Sequence, residues 1–320
     1  MNETPNSFFP AGTIGSMPPD PLKPMANRHL RTLIIKLFVG PFGIRAGWRL
    51  LIFLAIVIAL IAGATFMAHA TKRTASPLEN EVVPFLIALF SGWVMSQIEH
   101  RRIADYGLPL RGSCGSRLGQ GIVFGFLAMT MLLLSMRFAG VFSFGAIGLH
   151  GLEAWKDGAM WAVVFVFVGL FEEYFFRGYP LFTLATGIKF WPSAILLSAF
   201  FGFLHHSNPN ESWVGAFEAG ATGLLFCFML RRTGDLWIPI GFHAGWDWAE
   251  SYFYGVPDSG FPSQAHLLNP RISGPDWLTG GSTGPEGSWL SIALLVILWM
   301  ICLVWLRGKR FPNPGAIRSS

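Results

Sequence analysis

Apolar residues dominate eight stretches of this chain, each set off from the next by a polar, Gly- or Pro-bearing connection. They run approximately over 48–70, 82–98, 118–138, 159–176, 188–205, 213–230, 236–254 and 289–306. A membrane-crossing helix needs roughly 20 mostly apolar residues, and somewhat fewer serve where Trp, Tyr, Lys or Arg flank them at the interface. The pattern therefore predicts an all-α fold, a polytopic integral membrane helical bundle with about eight transmembrane helices. The first, third and eighth stretches are continuous. The fourth to seventh carry charges, histidines and glycines, so the chemistry gathers there.

The Pro-, Gly- and Asn-rich residues 1–45 precede any long apolar run, unlike a signal peptide, and are expected to form a flexible cytoplasmic tail. Residues 46–310 are the expected membrane domain, 255–287 an outer loop without a core of its own, and 311–320 a cytoplasmic tail. Composition agrees with the class: 52% of the residues are hydrophobic and 13% charged. The net charge of +5 comes from short basic clusters between apolar runs, which points to membrane orientation and away from a nucleic-acid partner. With both termini in the cytoplasm, only Lys72, Arg73, Arg137, Lys156 and Arg271 of the 23 basic residues fall on the outer side. Cys114, Cys227 and Cys302 are widely spaced and form neither a disulfide framework nor a CxxC.

Within the fourth stretch lies GLFEEYFFRGYPLF, from Gly169 to Phe182. Charged residues near a helix centre cost roughly 2.5–3.5 kcal/mol each, and an interhelical polar contact returns only about 0.6–2 kcal/mol. Glu173 and Arg177 have a structural account as an i,i+4 pair whose arginine snorkels to the interface. Glu172 points about 100° away and is left for function. The fifth stretch ends in FLHHSNPN with His205 and His206, and the seventh holds His243 and Asp247 one turn apart, with Glu250 continuing the stripe. Gly241 and Gly245 lie on the opposite face, where a helix can approach closely. Gly121 and Gly125 offer a like face to a span of this chain or another. His69, His100 and His150 read as packing residues; Glu218, inside the sixth stretch, is left unassigned, an interfacial position near the outer end being one reading.

Neither HExxH nor GxSxG occurs. Glu172, set among Phe171, Phe175 and Phe176, suits a general base acting on water, with His205 orienting the water and His243 donating to an oxyanion. The same Glu172, His205, His243 and Asp247 also suit a divalent metal, zinc by the N/O donor set. The sequence leaves both mechanisms open, and no ATP-binding or redox motif calls for an organic cofactor.

EEYFFR (Glu172, Glu173, Arg177), FGFLH (ending at His205) and HAGWD (His243 to Asp247) resemble the EExxxR, FxxxH and HxxxN/D motifs of the CAAX prenyl endopeptidase and bacteriocin-processing (CPBP, or Abi) intramembrane proteases. The motif core spans 159–254. The resemblance implies an endopeptidase in which Glu172 activates water, Glu173 and Arg177 support it, and His205, His243 and Asp247 complete the site. Asp247 stands where one branch often has Asn, and a carboxylate accepts where an amide donates. The implied partners are the bilayer and a peptide or lipidated protein substrate, prenylated or leader-bearing. Two rivals are a non-catalytic immunity or scaffold protein using the same cavity and, behind it, a proton-coupled transporter, which lacks support from internal repeats.

Overall fold

The computed structural model describes residues 37–40, 43–110, 114–308 and Phe311. The tails expected over 1–45 and 311–320 lie mostly outside the described residues. What is described of the first is a short antiparallel pair, β1 (Val39–Gly40) and β2 (Gly43–Ile44). The membrane domain runs through α1 (Ala46–Thr71), α2 (Pro77–Ile98), α3 (Cys114–Phe138), β3 (Phe142–Ile147) and α4 (Gly151–Arg177). It continues through α5 (Tyr179–Ile188), α6 (Phe190–His205), α7 (Trp213–Thr233) and α8 (Trp237–Asp247). A π-helix, Trp248–Tyr254, extends α8, and β4 (Leu268–Ile272), α9 (Asp276–Thr279) and α10 (Trp289–Trp305) complete the chain.

Helix forms at all eight apolar stretches. Among the described residues five segments are long and apolar enough to cross a membrane: α1, α2, α3, the run from α4 through α5, and α7. α6 and α10 are shorter apolar helices, and α8 is shorter still. The seventh stretch, expected as one continuous span, changes winding after Asp247.

The all-α expectation needs one correction. β3 and β4 pair antiparallel, with Phe142 opposite Ile272 and Ile147 opposite Leu268, and the register shifts between Ser143 and Ala146. Gly145, at φ 70°, lies in that irregularity, and a Cβ there would run into the Asn269 backbone. The segment 255–287 is accordingly more than a bare loop. It carries β4, α9 and a 3₁₀ turn (Pro285–Gly287), and it buries Thr279, Thr283 and Pro285 against the bundle. Its strand is short and edge-like, with Pro270 inside it, so the period-2 signal is weak.

Helix ends follow local chemistry. Ser76 and Glu79 form a reciprocal capping box at the start of α2, and Ser212 and Ser288 cap α7 and α10 by accepting from Gly215 and Ser291 amides. Near the start of α1, Arg49 donates to Glu99 at 2.6 Å and to Thr186 at 2.6 Å, while Tyr179 donates to the other Glu99 oxygen at 2.6 Å. That buried network ties α1, the end of α2 and α5 together.

α8 is the pivot of the fold. Ile238, Phe242 and Trp246 join one apolar core with α3, α7 and α10, while Trp237 and Ile240 join a second with α1, α2 and α4 to α6. Every residue of α8 except His243 is buried. A helix apolar on all sides needs neighbours on all sides, and α3 supplies one by direct backbone contact. A Cβ at Gly121 would lie 2.8 Å from the Gly241 Cα, and one at Gly241 would lie 2.9 Å from the Gly121 Cα. The two small-residue faces noted in the sequence pack on each other within one chain, Gly125 and Gly245 one turn further on.

Gly241→Leu is therefore expected to destabilise the detergent-solubilised protein by about 3 kcal/mol or more, the upper range for overpacking, because the obstacle is backbone rather than a movable side chain. Gly63→Leu, on an exposed part of α1 where a Cβ meets nothing within 4 Å, is the control and is expected to melt like the parent. Equal melting temperatures for the two variants would contradict this account of the crossing.

Candidate active site

Gly169 sits one turn before the two glutamates of α4 and brings α8 close. A Cβ there would lie 2.9 Å from the Ile240 carbonyl oxygen and 3.4 Å from the His243 Cβ. The approach puts the His243 ring against the acidic pair. His243 Nδ1–H donates to Glu173 Oε1 at 3.0 Å, and Arg177 Nη1 donates to the same oxygen at 3.1 Å. The i,i+4 pair read from the sequence is thus real, but Arg177 does not snorkel. Glu173 and Arg177 are both 0% exposed, enclosed by α6 and α7. The Arg177 guanidinium carbon lies 4.2 Å from the Phe201 ring centroid, and Gly223 of α7 leaves the space its Nη2 occupies.

Glu172 faces another way, as the helix geometry requires. Its Oε2 is 3.6 Å from His243 Nε2 and has no protein hydrogen-bond partner among the described residues. Asp247 Oδ2 approaches the same His243 nitrogen at 3.5 Å. The Glu172 side chain is 24% exposed against 0% for Glu173, so of the two carboxylates only Glu172 is open to a substrate. Its apolar surroundings differ from those expected. Phe171 and Phe175 pack toward the second core, where Phe175 meets Phe53, and the cavity wall beside Glu172 is Trp161, Phe165 and Val168 from the turns before it.

His205 ends α6. Its Nδ1–H donates to the Phe201 carbonyl at 3.0 Å, which leaves Nε2 as the acceptor. His206, its neighbour, stacks on Trp213 at 3.7 Å and takes no part in the site. Glu172, His205, His243 and Asp247 all line one cavity of about 320 Å³. The structure therefore brings together the four residues singled out from three separate stretches, with Glu173 and Arg177 behind them.

The cavity holds more acid than the sequence suggested. Glu218 is buried, accepts from Thr222 at 2.7 Å and lines the wall, so the interfacial reading of it is overturned. Glu81 of α2 also lines the cavity. It falls just outside its apolar stretch, and an acid at the edge of a span is the signal that could have found it. Asp258 and Glu286 come from the 255–287 segment, which no periodicity links to the site. Burial, and then the charge of Glu286, pushes the Asp258 carboxyl up to about 7. The same two causes act on Glu211, also raised to about 7.

Zinc needs four ligand atoms converging at about 2.0–2.2 Å. The Nδ1–H bonds of His243 and His205 leave the Nε2 of each for a ligand role, but among the described residues no three donor atoms of the quartet gather within 4.8 Å of one another. The arrangement does not fit a zinc ion, and no step is routed through one.

A mostly helical chain with five helices able to cross a bilayer, enclosing carboxylates and histidines around a cavity, defines an integral membrane protein with a buried polar site. Residues 154–249 match the family model described as type II CAAX prenyl endopeptidase Rce1-like. The matched stretch extends from the first turn of α4 into the π-helix and so contains Glu172, Glu173, Arg177, His205, His243 and Asp247. No curated protein and no solved structure matches the chain.

Proposed function

We propose that this protein is an intramembrane endopeptidase that hydrolyses a peptide bond near the end of a membrane-associated peptide, with Glu172 as the general base. The observation that carries the reading is the division of labour between two adjacent glutamates. Glu173 is sealed in a pair with Arg177 and holds His243, while the Glu172 side chain is 24% exposed, lines the cavity and has an Oε2 without a protein hydrogen-bond partner among the described residues.

Water held between Glu172 and the acceptor Nε2 of His205 attacks the peptide carbonyl carbon, and its proton passes to the Glu172 carboxylate. The carbonyl oxygen becomes an oxyanion and takes a hydrogen bond from His243 Nε2–H. Glu173 at Nδ1 and Asp247 beside Nε2 favour the doubly protonated imidazolium, which donates from both nitrogens. Asp247 thus contributes as an acceptor, which accounts for an acid at that motif position. Collapse of the tetrahedral intermediate breaks the C–N bond, and the leaving amine takes the proton from Glu172. The aromatic wall, including Phe165, Phe201 and Phe226, suits a lipidated or strongly apolar peptide end. The basic-residue asymmetry supports both termini in the cytoplasm.

The test uses the full chain in detergent with matched peptides bearing a free, farnesylated or leader-type end, cleavage being read by mass spectrometry. Glu172→Gln is the blank. 1,10-phenanthroline, which takes up zinc in preference to hard cations, is expected to leave cleavage unchanged. Binding of a peptide without cleavage by the parent protein would favour the scaffold reading, and uptake driven by a proton gradient in proteoliposomes would favour a transporter.

A further inference from the structure

Beside the cavity lies an acidic group that the proposed hydrolysis does not use. Glu250 of the π-helix, Asp258 in the turn beyond it and Glu286 of the 3₁₀ turn each bring one carboxylate oxygen within 4.8 Å of the others. Two of the three are held by donors. Glu286 accepts from Trp246 Nε1 at 2.7 Å and Ser259 Oγ at 2.7 Å, and Asp258 accepts from Ser251 Oγ at 2.9 Å. Glu250 is different. It is fully buried, it points into the group, and neither of its oxygens has a protein partner among the described residues.

The His243 imidazolium acts on Asp258 from across the cavity, and it is already held by Glu173 and Asp247. Among the described residues no Lys or Arg lies within ion-pair distance of the three, and the nearest further ionisable groups include Asp247 and Glu218, which add to the negative potential. Buried carboxylates this close do not stay charged together without a cation among them.

We propose that Glu250, Asp258 and Glu286 form a binding site for a divalent cation of the calcium class, which pins the π-helix to the segment that walls the cavity. The donor set is oxygen only, which selects a hard cation over zinc. Calcium takes six to eight oxygen ligands in a flexible geometry, whereas magnesium keeps several waters and is held by one or two carboxylates, so a group of three carboxylates suits the larger ion. The donors from Trp246, Ser251 and Ser259 orient the ligands from behind, as outer partners do in metal sites. Glu250 lies in a π-helical turn, and such turns cluster at functional sites. The cation site is independent of the peptidase reading, because it concerns binding and stability only.

Terbium, a luminescent calcium substitute, tests it, because the Trp246 indole lies next to Glu286 and can sensitise the emission. Titrating Tb³⁺ into the detergent-solubilised full chain is expected to give saturable emission that calcium displaces at least tenfold more effectively than magnesium. Glu250→Gln and Asp258→Asn are each expected to weaken binding tenfold or more, and Asp276→Asn, in the exposed α9, to leave it unchanged. Calcium should raise the melting temperature of the parent in chelator-stripped buffer and leave that of Glu250→Gln where it was. That variant, with one charge fewer, should melt no lower than the stripped parent. Absence of sensitised emission, equal binding by both cluster variants, or displacement by magnesium as readily as by calcium would each overturn the proposal. If Glu250→Gln does not fold, the Asp258→Asn titration decides.

Discussion

Glu172→Gln is expected to lower kcat for peptide cleavage by about a thousandfold while KM moves less than threefold and the melting temperature does not fall. A positioned general base contributes about 10²- to 10⁴-fold, and a thousandfold corresponds to about 4 kcal/mol of transition-state stabilisation. Glutamine keeps the size and removes the proton acceptor. Substrate binding should be spared because the wall that would hold the peptide is built by other residues, Trp161, Phe165, Phe201 and Phe226 among them. Stability should be spared because Glu172 Oε2 makes no hydrogen bond to protein among the described residues, and the glutamine amide oxygen can keep the 3.6 Å approach to His243 Nε2. A structural role for Glu172 would reverse the pattern, with melting lowered and kcat falling only in step with the fraction folded. A drop in kcat below tenfold would remove Glu172 from the role of base.

Much of this site was legible in the chain because its costs are visible there. Charges inside an apolar run are expensive wherever they occur, so Glu172, Glu173, His243 and Asp247 stand out without any knowledge of their neighbours. Spacing of four puts the pairs Glu173 with Arg177 and His243 with Asp247 on shared helix faces, and the structure shows both. The two Gly-xxx-Gly faces are visible as well, but nothing local says that they meet each other, since that depends on how α3 and α8 cross. Arg177 shows the limit most plainly. Whether an arginine near a helix end reaches water or stays enclosed is decided by α6 and α7, whose ring faces and Gly223 form its enclosure far along the chain. Asp258 and Glu286 were hidden for a similar reason. They sit in a Gly- and Pro-rich segment with no period to place it, and only the fold turns that segment back over the cavity.

Arg177→Met is expected to destabilise the protein by about 3–5 kcal/mol, and the double variant Glu173→Gln/Arg177→Met to recover most of that loss without recovering activity. Buried ion pairs are asymmetric in this respect. Removing one partner leaves the other charge uncompensated in a low-dielectric interior, whereas removing both leaves only a neutral hydrogen-bonding group to satisfy. Glu173 is fully enclosed and its Oε2 has no protein partner among the described residues, so after loss of Arg177 its charge is balanced only by His243. In the double variant the glutamine introduced in place of Glu173 can still accept from His243 Nδ1–H through its amide oxygen. The methionine introduced in place of Arg177 fills the aromatic slot against Phe201 that the guanidinium leaves. Stability therefore returns, read as a coupling energy of at least about 2 kcal/mol in a double-mutant cycle of melting experiments. Activity does not return, because a neutral amide at Nδ1 no longer stabilises the imidazolium that donates to the oxyanion. Additive losses in the cycle would mean that Arg177 acts through its packing alone, and full activity in the double variant would mean that Glu173 does no more than hold the helices in place.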